Sequence, residues 1–257
     1  MTLSRYTQGP SSYNPAPPPP PKRSVLRPTS YQPIVTYLMI ASCVLVYIGQ
    51  MLTPVSGTGL DLFSLYGAKI NSMIIQGQYW RLLTPMWLHG SILHIAFNMY
   101  ALYIFGVNLE RYYGHWRFLW LYLLGGYAGN VVSFLMSPSV SLGSSTAIFG
   151  LIAAQGVFLY KNRQLIRNAR GMLLNTIAIA AINLVLGLSP GIDNWGHLGG
   201  LLGGLAYAWS AGPVWLLQTD ASGVRLVNQR SRQRVILVAV GVFLLFTIIA
   251  AFKIWMA

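Results

Sequence analysis

Seven apolar stretches constrain the fold of this 257-residue chain more than any other feature. Because a bilayer core of about 30 Å is crossed by about 20 helical residues, and about 17 can suffice, each stretch is long enough to span a membrane. Backbone polar groups that face lipid must be satisfied within their own segment, so each stretch is expected to be a helix. The sequence therefore predicts an all-α polytopic membrane protein. The stretches lie at about 33–52, 91–108, 115–136, 144–160, 171–189, 194–212 and 235–256.

Composition agrees with a chain that mostly faces lipid. Hydrophobic residues make up 54% of it and charged residues only 8%, whereas soluble domains carry roughly 25% charged residues. The formal net charge of +13 would indicate nucleic-acid binding only if the basic residues clustered on one solvated face. They fall instead in the gaps between the apolar stretches, so no nucleic-acid partner is expected. The lone Cys43 has no disulfide partner.

The distribution of basic residues predicts the orientation. With the N-terminus in the cytoplasm, the inner segments and helix ends hold all the Lys and Arg residues except Lys69, Arg81 and Lys253. Cytoplasmic loops carry an excess of these residues in membrane proteins. We therefore expect a multi-pass integral protein with a cytoplasmic N-terminus, in the plasma (inner) membrane of a prokaryote.

The segments between the stretches suggest a domain organisation. The Pro-rich N-terminus favours polyproline II and is expected to be a disordered tail, with an aromatic-lined partner groove as a second possibility. The outer loop is too polar to span and carries enough aromatic residues to lie half-embedded at the membrane interface. The expected units are a cytoplasmic tail 1–32, a six-helix membrane domain 33–212 with the outer loop 53–90, a basic cytoplasmic linker 213–234 and a seventh transmembrane helix 235–257.

Four polar residues stand out inside the apolar stretches, where polar groups are costly and mark function by default. His94 and Asn98 are in the second stretch, Ser145 begins the fourth, and His197 is near the start of the sixth. These three helices run in the same direction through the membrane, from outside to inside. All four side chains are therefore expected at one depth, just below the outer surface.

Ser145 stands where the fourth helix begins. The first N–H groups of a helix lack internal partners and lie at the positive end of its dipole, so they can stabilise an oxyanion. Gly143 would let another chain approach closely. The alternative is that Ser144 or Ser145 only caps the helix. The segment also lacks the second glycine of the hydrolase motif Gly-x-Ser-x-Gly, because Ala147 occupies that place.

His197 precedes Gly200 by three residues, and Gly200 and Gly204 form a small-residue face that lets a neighbouring helix pack closely. If that neighbour is the fourth helix, the imidazole can take the Ser145 hydroxyl proton as general base. The alternative is a histidine hydrogen-bonded within the bundle. Asp193 could orient His197 in a triad, but we favour a cap on the sixth helix and a two-residue dyad.

His94 and Asn98 are four residues apart and share one helix face. Both can donate hydrogen bonds to a developing oxyanion, with a structural network between helices as the alternative. His89, His94 and His197 could instead form a metal site. No intramembrane carboxylate accompanies them, and neither His-Glu-x-x-His nor His-x-x-Glu-His is present, so we expect no metal and no cofactor.

Several motifs occur in an order that resembles the rhomboid family of intramembrane serine proteases. The resemblance covers roughly residues 77–208, about half of the chain. Each motif is weak alone, but the ordered set is highly specific. The motifs are Tyr79-Trp80-Arg81, the segment from His89 to Asn98, Glu110-Arg111, Gly143-Ser144-Ser145 with Phe149-Gly150, and His197 with Gly200 and Gly204.

The resemblance implies a six-helix bundle plus one C-terminal transmembrane helix. It further implies a serine endopeptidase that cleaves transmembrane proteins in or near their membrane segment through an acyl-enzyme. The dyad would be Ser145 and His197, with Phe149 packed on the His197 ring. His94, Asn98 and the Ser145 backbone N–H would line the oxyanion hole.

Two residues depart from the family pattern. Thr146 stands where glycine is usual, and Gly196 where alanine is commoner. A β-branched residue directly after the nucleophile would narrow substrate access or restrain local motion. Two other classes of function stay open: a non-catalytic adaptor that binds transmembrane segments, and a transporter, although the chain shows no inverted repeat and no paired intramembrane charges.

Overall fold

A computed structural model of the chain describes residues 32–57, 59–220 and 223–257. The predicted tail lies outside these residues except for Gln32. In the described part of the chain the α-helices are α1 Ile34–Leu52, α2 Leu62–Gly67, α3 Asn71–Ile75, α4 Ile92–Tyr113, α5 His115–Met136, α6 Ser145–Lys161, α7 Ala169–Leu186, α8 Asn194–Ala211 and α9 Arg232–Trp255.

The seven long helices coincide with the seven apolar stretches, so the predicted all-α polytopic fold is confirmed. Among the described residues, five helices are long and apolar enough to cross a membrane: α1, α4, α5, α7 and α9. Helix α6 is shorter, at 17 residues. Helix α8 contains five glycines, which lower its hydropathy. Both of these helices pack closely against neighbouring helices: 11 of the 17 residues of α6 and 9 of the 18 residues of α8 are buried.

Glycines let α5, α6 and α8 pack with their backbones in contact. A Cβ atom added at Gly150 would lie 3.0 Å from the Gly125 Cα of α5, and one at Gly204 would lie 2.3 Å from the Gly150 carbonyl oxygen. Only hydrogen fits at these positions. Such close approach increases the van der Waals contact that holds helices together where water does not drive their association.

Helix α9 packs beside α5. The Tyr127 hydroxyl is 2.9 Å from the Thr247 hydroxyl, and the Tyr127 and Phe243 rings lie 5.0 Å apart between centroids. The last helix is therefore part of the bundle, joined to it by a polar as well as an aromatic contact.

Segment 53–90 is folded rather than a simple loop. It contains a short antiparallel pair, β1 Pro54–Val55 and β2 Leu60–Asp61, then α2, α3 and two 3₁₀ turns, Tyr79–Leu82 and Thr84–Trp87. Long-range contacts hold these elements together, so the apolar pattern of the segment did not reveal them.

Arg81 and Trp80, predicted as supporting residues, both bind the C-terminal end of α2. The Arg81 guanidinium is buried and donates to the carbonyl oxygens of Leu65 and Ala68 at 2.7 and 2.8 Å. Its burial lowers the pKa of Arg81. The half-exposed Trp80 donates its indole N–H to the Tyr66 carbonyl oxygen at 2.9 Å. Cationic donors at a helix C-terminus satisfy its free carbonyls.

The predicted linker 213–234 contains a β-hairpin that the sequence analysis did not predict. Strands β3 Trp215–Asp220 and β4 Gly223–Asn228 pair antiparallel. Asn162, directly after α6, anchors the hairpin by accepting from the Trp215 N–H at 2.9 Å. Helix α9 begins at Arg232, three residues before the predicted boundary.

Candidate active site

Helices α4, α6 and α8 all begin at one end of the bundle, called here the Ser145 end. Ser145 is the first residue of α6 and His197 the fourth residue of α8. The Ser145 Oγ lies 3.0 Å from the His197 Nε2. The two side chains that the sequence analysis paired are therefore within hydrogen-bond distance, which is the geometry a base needs to take a hydroxyl proton.

The close approach of α6 and α8 depends on the predicted small-residue face. A Cβ atom at Gly200 would lie 2.0 Å from the Thr146 carbonyl oxygen. Gly204 meets Gly150 one turn further along. The sequence analysis left open which helix packs on the glycine face of the sixth long helix. The structure places the fourth long helix, α6, there, and this contact explains why His197 reaches Ser145.

The His197 ring is fixed on one face by Phe149, as predicted. The two ring centroids are 4.2 Å apart and their planes differ by 14°. The buried His197 Nδ1 has no hydrogen-bond partner within the described ranges. The imidazole is thus held by packing and by Ser145, without a carboxylate on its second nitrogen.

Asp193 caps α8, as the sequence analysis favoured. Its Oδ1 accepts from the Gly196 N–H at 2.9 Å, and its Oδ2 accepts from the Ser133 hydroxyl of α5. Both carboxylate oxygens are therefore engaged away from the His197 ring. This arrangement matches a dyad better than a triad.

The alternative that Ser144 or Ser145 is only a helix cap finds no support in the hydrogen bonds. Ser144 occupies the cap position of α6 without a side-chain cap bond, and its Oγ lies 3.3 Å from the His89 Nε2. The Ser145 Oγ faces His197 instead. Burial, with the neighbouring His94 as a second cause, lowers the pKa of His89 to about 4, so His89 is neutral at pH 7.

His94 lies next to the serine. Gly143 has a φ of +132°, and a Cβ atom there would lie 2.8 Å from the His94 Nε2 and 3.7 Å from the Ser145 Oγ. The side chains of His94 and Ser145 therefore lie on either side of the space that a Cβ atom at position 143 would occupy. Asn98 is buried one turn along α4, and its Nδ2 donates to the His94 carbonyl oxygen at 3.1 Å. An oxyanion role for His94 and Asn98 stays a prediction.

The two departures from the family pattern are in contact with each other. Thr146 is buried, and its side chain points toward α5 and α8. A Cβ atom at Gly129 would lie 2.5 Å from the Thr146 Cβ, and one at Gly196 would lie 3.0 Å from the Thr146 Cγ2. Glycines at 129 and 196 thus leave the room that the threonine side chain takes.

A buried lysine, which the sequence analysis did not single out, holds the loop before Ser145. The fully buried Lys69 donates from Nζ to the carbonyl oxygens of Ser137 and Ser139, both at 2.8 Å. Its backbone pairs with Ser141 in both directions, at 2.9 and 3.1 Å. An ammonium at the C-terminus of α5 meets the negative end of the helix dipole.

Further contacts fix the same loop. The Asn71 side-chain amide donates to the Phe134 and Ser137 carbonyl oxygens, and the Gly143 N–H donates to the Pro85 carbonyl oxygen at 2.9 Å. Segment 53–90 therefore positions the residues that lead into the serine. Lys69 is the only charged residue between Asp61 and Arg81, and this isolation was the signal for it. The spacing Gly125-x-x-x-Gly129 was the signal for the glycine face of α5.

In the described part of the chain, no three His, Cys, Asp or Glu side chains are grouped so that they could hold a metal ion. The His89 and His94 rings meet edge to face, with centroids 5.3 Å apart. The structure thus gives no grouping to support the alternative of a metal site at His89, His94 and His197 within the described residues.

The fold and the site define a class: a polytopic helical membrane protein with a serine and a histidine paired inside its bundle. Comparison with known protein families matches residues 76–213, more than half of the chain, to the rhomboid domain. The chain belongs to the rhomboid family, as the resemblance in the sequence indicated.

Several relatives are similar over most of the chain. It is 40% identical over 218 residues to "Rhomboid protease GluP" of Bacillus subtilis (strain 168), a match that covers 84% of this chain and 40% of the relative. It is 37% identical to "RHOMBOID-like protein 9, chloroplastic" and 39% identical to "RHOMBOID-like protein 6, mitochondrial", both of Arabidopsis thaliana. These matches cover 66% and 59% of this chain, and 40% and 50% of the relatives. The chain thus spans half or less of the length of these relatives.

Proposed function

We propose that this protein is an intramembrane serine endopeptidase in which Ser145 is the nucleophile and His197 the general base. The single observation that carries the proposal is the 3.0 Å separation of the Ser145 Oγ and the His197 Nε2 inside a helical membrane bundle. Family membership and the protease named among the relatives support it.

In the first step His197 takes the Ser145 hydroxyl proton while Oγ attacks the carbonyl carbon of a peptide bond. His197 then gives that proton to the departing amine, and the acyl group stays on Oγ. In the second step His197 takes a proton from water, the hydroxide adds to the acyl carbon, and the proton returns to Ser145 as the carboxylic product leaves. Because Phe149 stacks on the ring, the imidazole keeps its orientation through both steps.

The negative charge on the former carbonyl oxygen needs donors at the Ser145 end. The Ser145 N–H is at the start of α6, where helix amides lack internal acceptors. The His94 imidazole lies on the other side of the Gly143 gap. We assign the oxyanion to these two donors and to Asn98, which can turn its amide from the His94 carbonyl toward the site. Removing one such donor costs about 10²-fold or more in kcat in other acyl-transfer enzymes.

The substrates are proposed to be transmembrane proteins, cut in or near their membrane segment. A helical substrate hides its carbonyls in backbone hydrogen bonds, so it must unwind before attack, and helix-destabilising residues near the cleavage site should help. With the N-terminus in the cytoplasm, water would reach the Ser145 end from the outer side.

Replacement of Ser145 by alanine tests the proposal. Ser145→Ala and His197→Ala should each abolish cleavage of a transmembrane substrate in reconstituted vesicles, while circular dichroism shows an unchanged helix content. Ser133→Ala is the matched control, because that hydroxyl bonds the Asp193 cap rather than the reacting atoms, and it should keep most of the activity. Unchanged turnover by Ser145→Ala would remove the proposal.

A serine-directed fluorophosphonate separates this function from a non-catalytic membrane adaptor. An active enzyme forms a covalent adduct at Ser145 that His197→Ala no longer forms, whereas an adaptor forms none. Asp193→Ala tests the dyad in the same assay. It should lower labelling far less than His197→Ala does, and an equal loss would show that the carboxylate acts on the histidine.

A further inference from the structure

An apolar cavity of about 380 Å³ lies between α6, α7 and α8, toward the end of the bundle opposite Ser145. Its walls include Gly156 and Tyr160 of α6, Ala180 of α7 and Trp209 of α8. Tyr160 and Trp209 are 47% and 51% exposed, so the cavity opens at the surface of the bundle. In a membrane that surface faces hydrocarbon, and an apolar opening there is filled by lipid rather than by water.

Two cations cover the aromatic rings at the mouth of the cavity. The Lys161 Nζ lies 4.4 Å from the centre of the Trp209 ring and donates to the Trp209 carbonyl oxygen. The Arg163 guanidinium carbon lies 4.7 Å from the centre of the Tyr160 ring. Arg230 and Arg234 are near enough to act electrostatically on Lys161. Positive charge is therefore concentrated where the apolar cavity ends.

Three of the four acidic residues of the chain are engaged elsewhere. Asp61 and Asp193 belong to the Ser145 end, and Glu110 binds the backbone N–H groups of Val35 and Thr36. The Glu110 carboxylate also lies within salt-bridge distance of the His115 imidazole. These three carboxylates bond other groups, so they leave the positive charge of Lys161 and Arg163 at the mouth of the cavity in place.

We propose that this cavity binds one acyl chain of an anionic phospholipid, whose phosphate is held by Lys161 and Arg163. Basic pockets between transmembrane helices recognise anionic headgroups in this way, and the aromatic rings lie where the chain meets the headgroup. The occupant is a lipid of the surrounding bilayer. The site lies beyond the proposed active site and does not depend on protease activity.

Lipid retention tests the site. The full chain is exchanged into nanodiscs of dioleoyl phosphatidylglycerol mixed with dioleoyl phosphatidylcholine, then released into detergent, and bound lipids are counted by native mass spectrometry. The wild type should retain one phosphatidylglycerol over phosphatidylcholine by roughly thirty-fold, the preference expected of two cations near the membrane surface. Lys161→Gln combined with Arg163→Gln should abolish this preference, whereas Arg225→Gln, a charge loss on the hairpin, should leave it unchanged.

A second pair of variants tests the cavity itself. Gly156→Leu fills it from α6, where the nearest atom to an added Cβ is 3.7 Å away, and Ala180→Leu fills it from α7. Each should release the lipid although all cations remain. Circular dichroism checks that both filled variants are folded. If both still retain phosphatidylglycerol, the proposal is overturned, because the lipid would then be held only by attraction of its headgroup to surface cations. Equal retention of the two lipids by the wild type would overturn it as well.

Discussion

Helices α6 and α7 are neighbours in the chain but differ in how they are held. Eleven residues of α6 are buried, and its glycines bring it into backbone contact with α5 and α8. In α7 only Ala169 and Thr176 are buried. The helix with the candidate nucleophile is thus fixed on several sides, whereas the helix after it rests on the bundle by one narrow face.

This difference in burial distinguishes a rigidly held helix, α6, from a helix that can move, α7. A nucleophile and its base must keep their geometry within a fraction of an ångström, and backbone contacts through glycine leave little freedom for rigid-body shifts. A peripheral helix with few buried residues can move at low cost. The following predictions test whether rigidity is concentrated in α5, α6 and α8.

The largest expected effect comes from one methyl group at the α6–α8 contact. Gly200→Ala places a Cβ 2.0 Å from the Thr146 carbonyl oxygen, so the helices must separate, and the free energy of unfolding should fall by about 3 kcal/mol. Gly156→Ala, which has room on the α7 side of α6, should gain about 0.5 kcal/mol from helix propensity. Unfolding in mixed micelles of graded denaturing detergent measures both. Equal effects would mean that α6 is no more tightly held on one side than on the other.

A smaller loss is expected at the loop before Ser145. Lys69→Met removes the donors to two buried carbonyl oxygens and should lower stability by about 2 kcal/mol at pH 7. Burial lowers the pKa of Lys69 from its ordinary 10.5 to about 8, partly offset by the charge of Asp193. Between these pH values the unfolded chain binds more protons, so wild-type stability should rise with pH from about 8 toward 10.5.

The Lys69→Met variant has no side chain at position 69 that loses a proton between about pH 8 and 10.5. The wild type should therefore become increasingly more stable than the variant as the pH rises through this range. Unfolding at pH 7, 8.5 and 10 measures the difference. A difference that shrinks as pH rises would show that the buried ammonium is stabilised, rather than penalised, by its surroundings.

The contact between Thr146 and Gly196 predicts a coupling of about 1 kcal/mol. Gly196→Ala alone would press its methyl against the Thr146 Cγ2, 3.0 Å away, and should be destabilising. In a Thr146→Gly background the same change should cost less. A double-mutant cycle on unfolding free energy measures the coupling, and additivity within about 0.3 kcal/mol would mean that the two family departures are unrelated.

The smallest effect is expected on α7. Ile182 is 58% exposed, so Ile182→Ala should change stability by less than about 0.5 kcal/mol. Leu151 of α6 is fully buried, and Leu151→Ala should cost about 2 kcal/mol in lost packing. The same detergent titration compares them. If the two variants were equally destabilised, the contrast between these helices would be lost.

Much of the site followed from local features of the sequence. Alternating spans bring His94, Ser145 and His197 to one end, because every second helix runs in the same direction. The glycine spacing of α8 predicted a close contact with a neighbouring helix, and the structure shows that α6 is such a neighbour. The hairpin β3–β4 and the folded segment 53–90 were not predicted, because their hydrogen bonds join residues whose pairing leaves no periodic signal.

The sequence by itself determined the membrane class, the number of long helices and the residue types that can carry the chemistry, since these depend on length, polarity and spacing along one segment. Three features were decided only by the tertiary structure. The Asp193 carboxylate accepts from Ser133 instead of contacting His197. Lys69 hydrogen-bonds the loop before Ser145, and Thr146 packs against Gly129 and Gly196. Each of these features depends on which helix faces meet and at which position along the helix axes they meet. That outcome is set by the packing of all the helices together and not by any one of them.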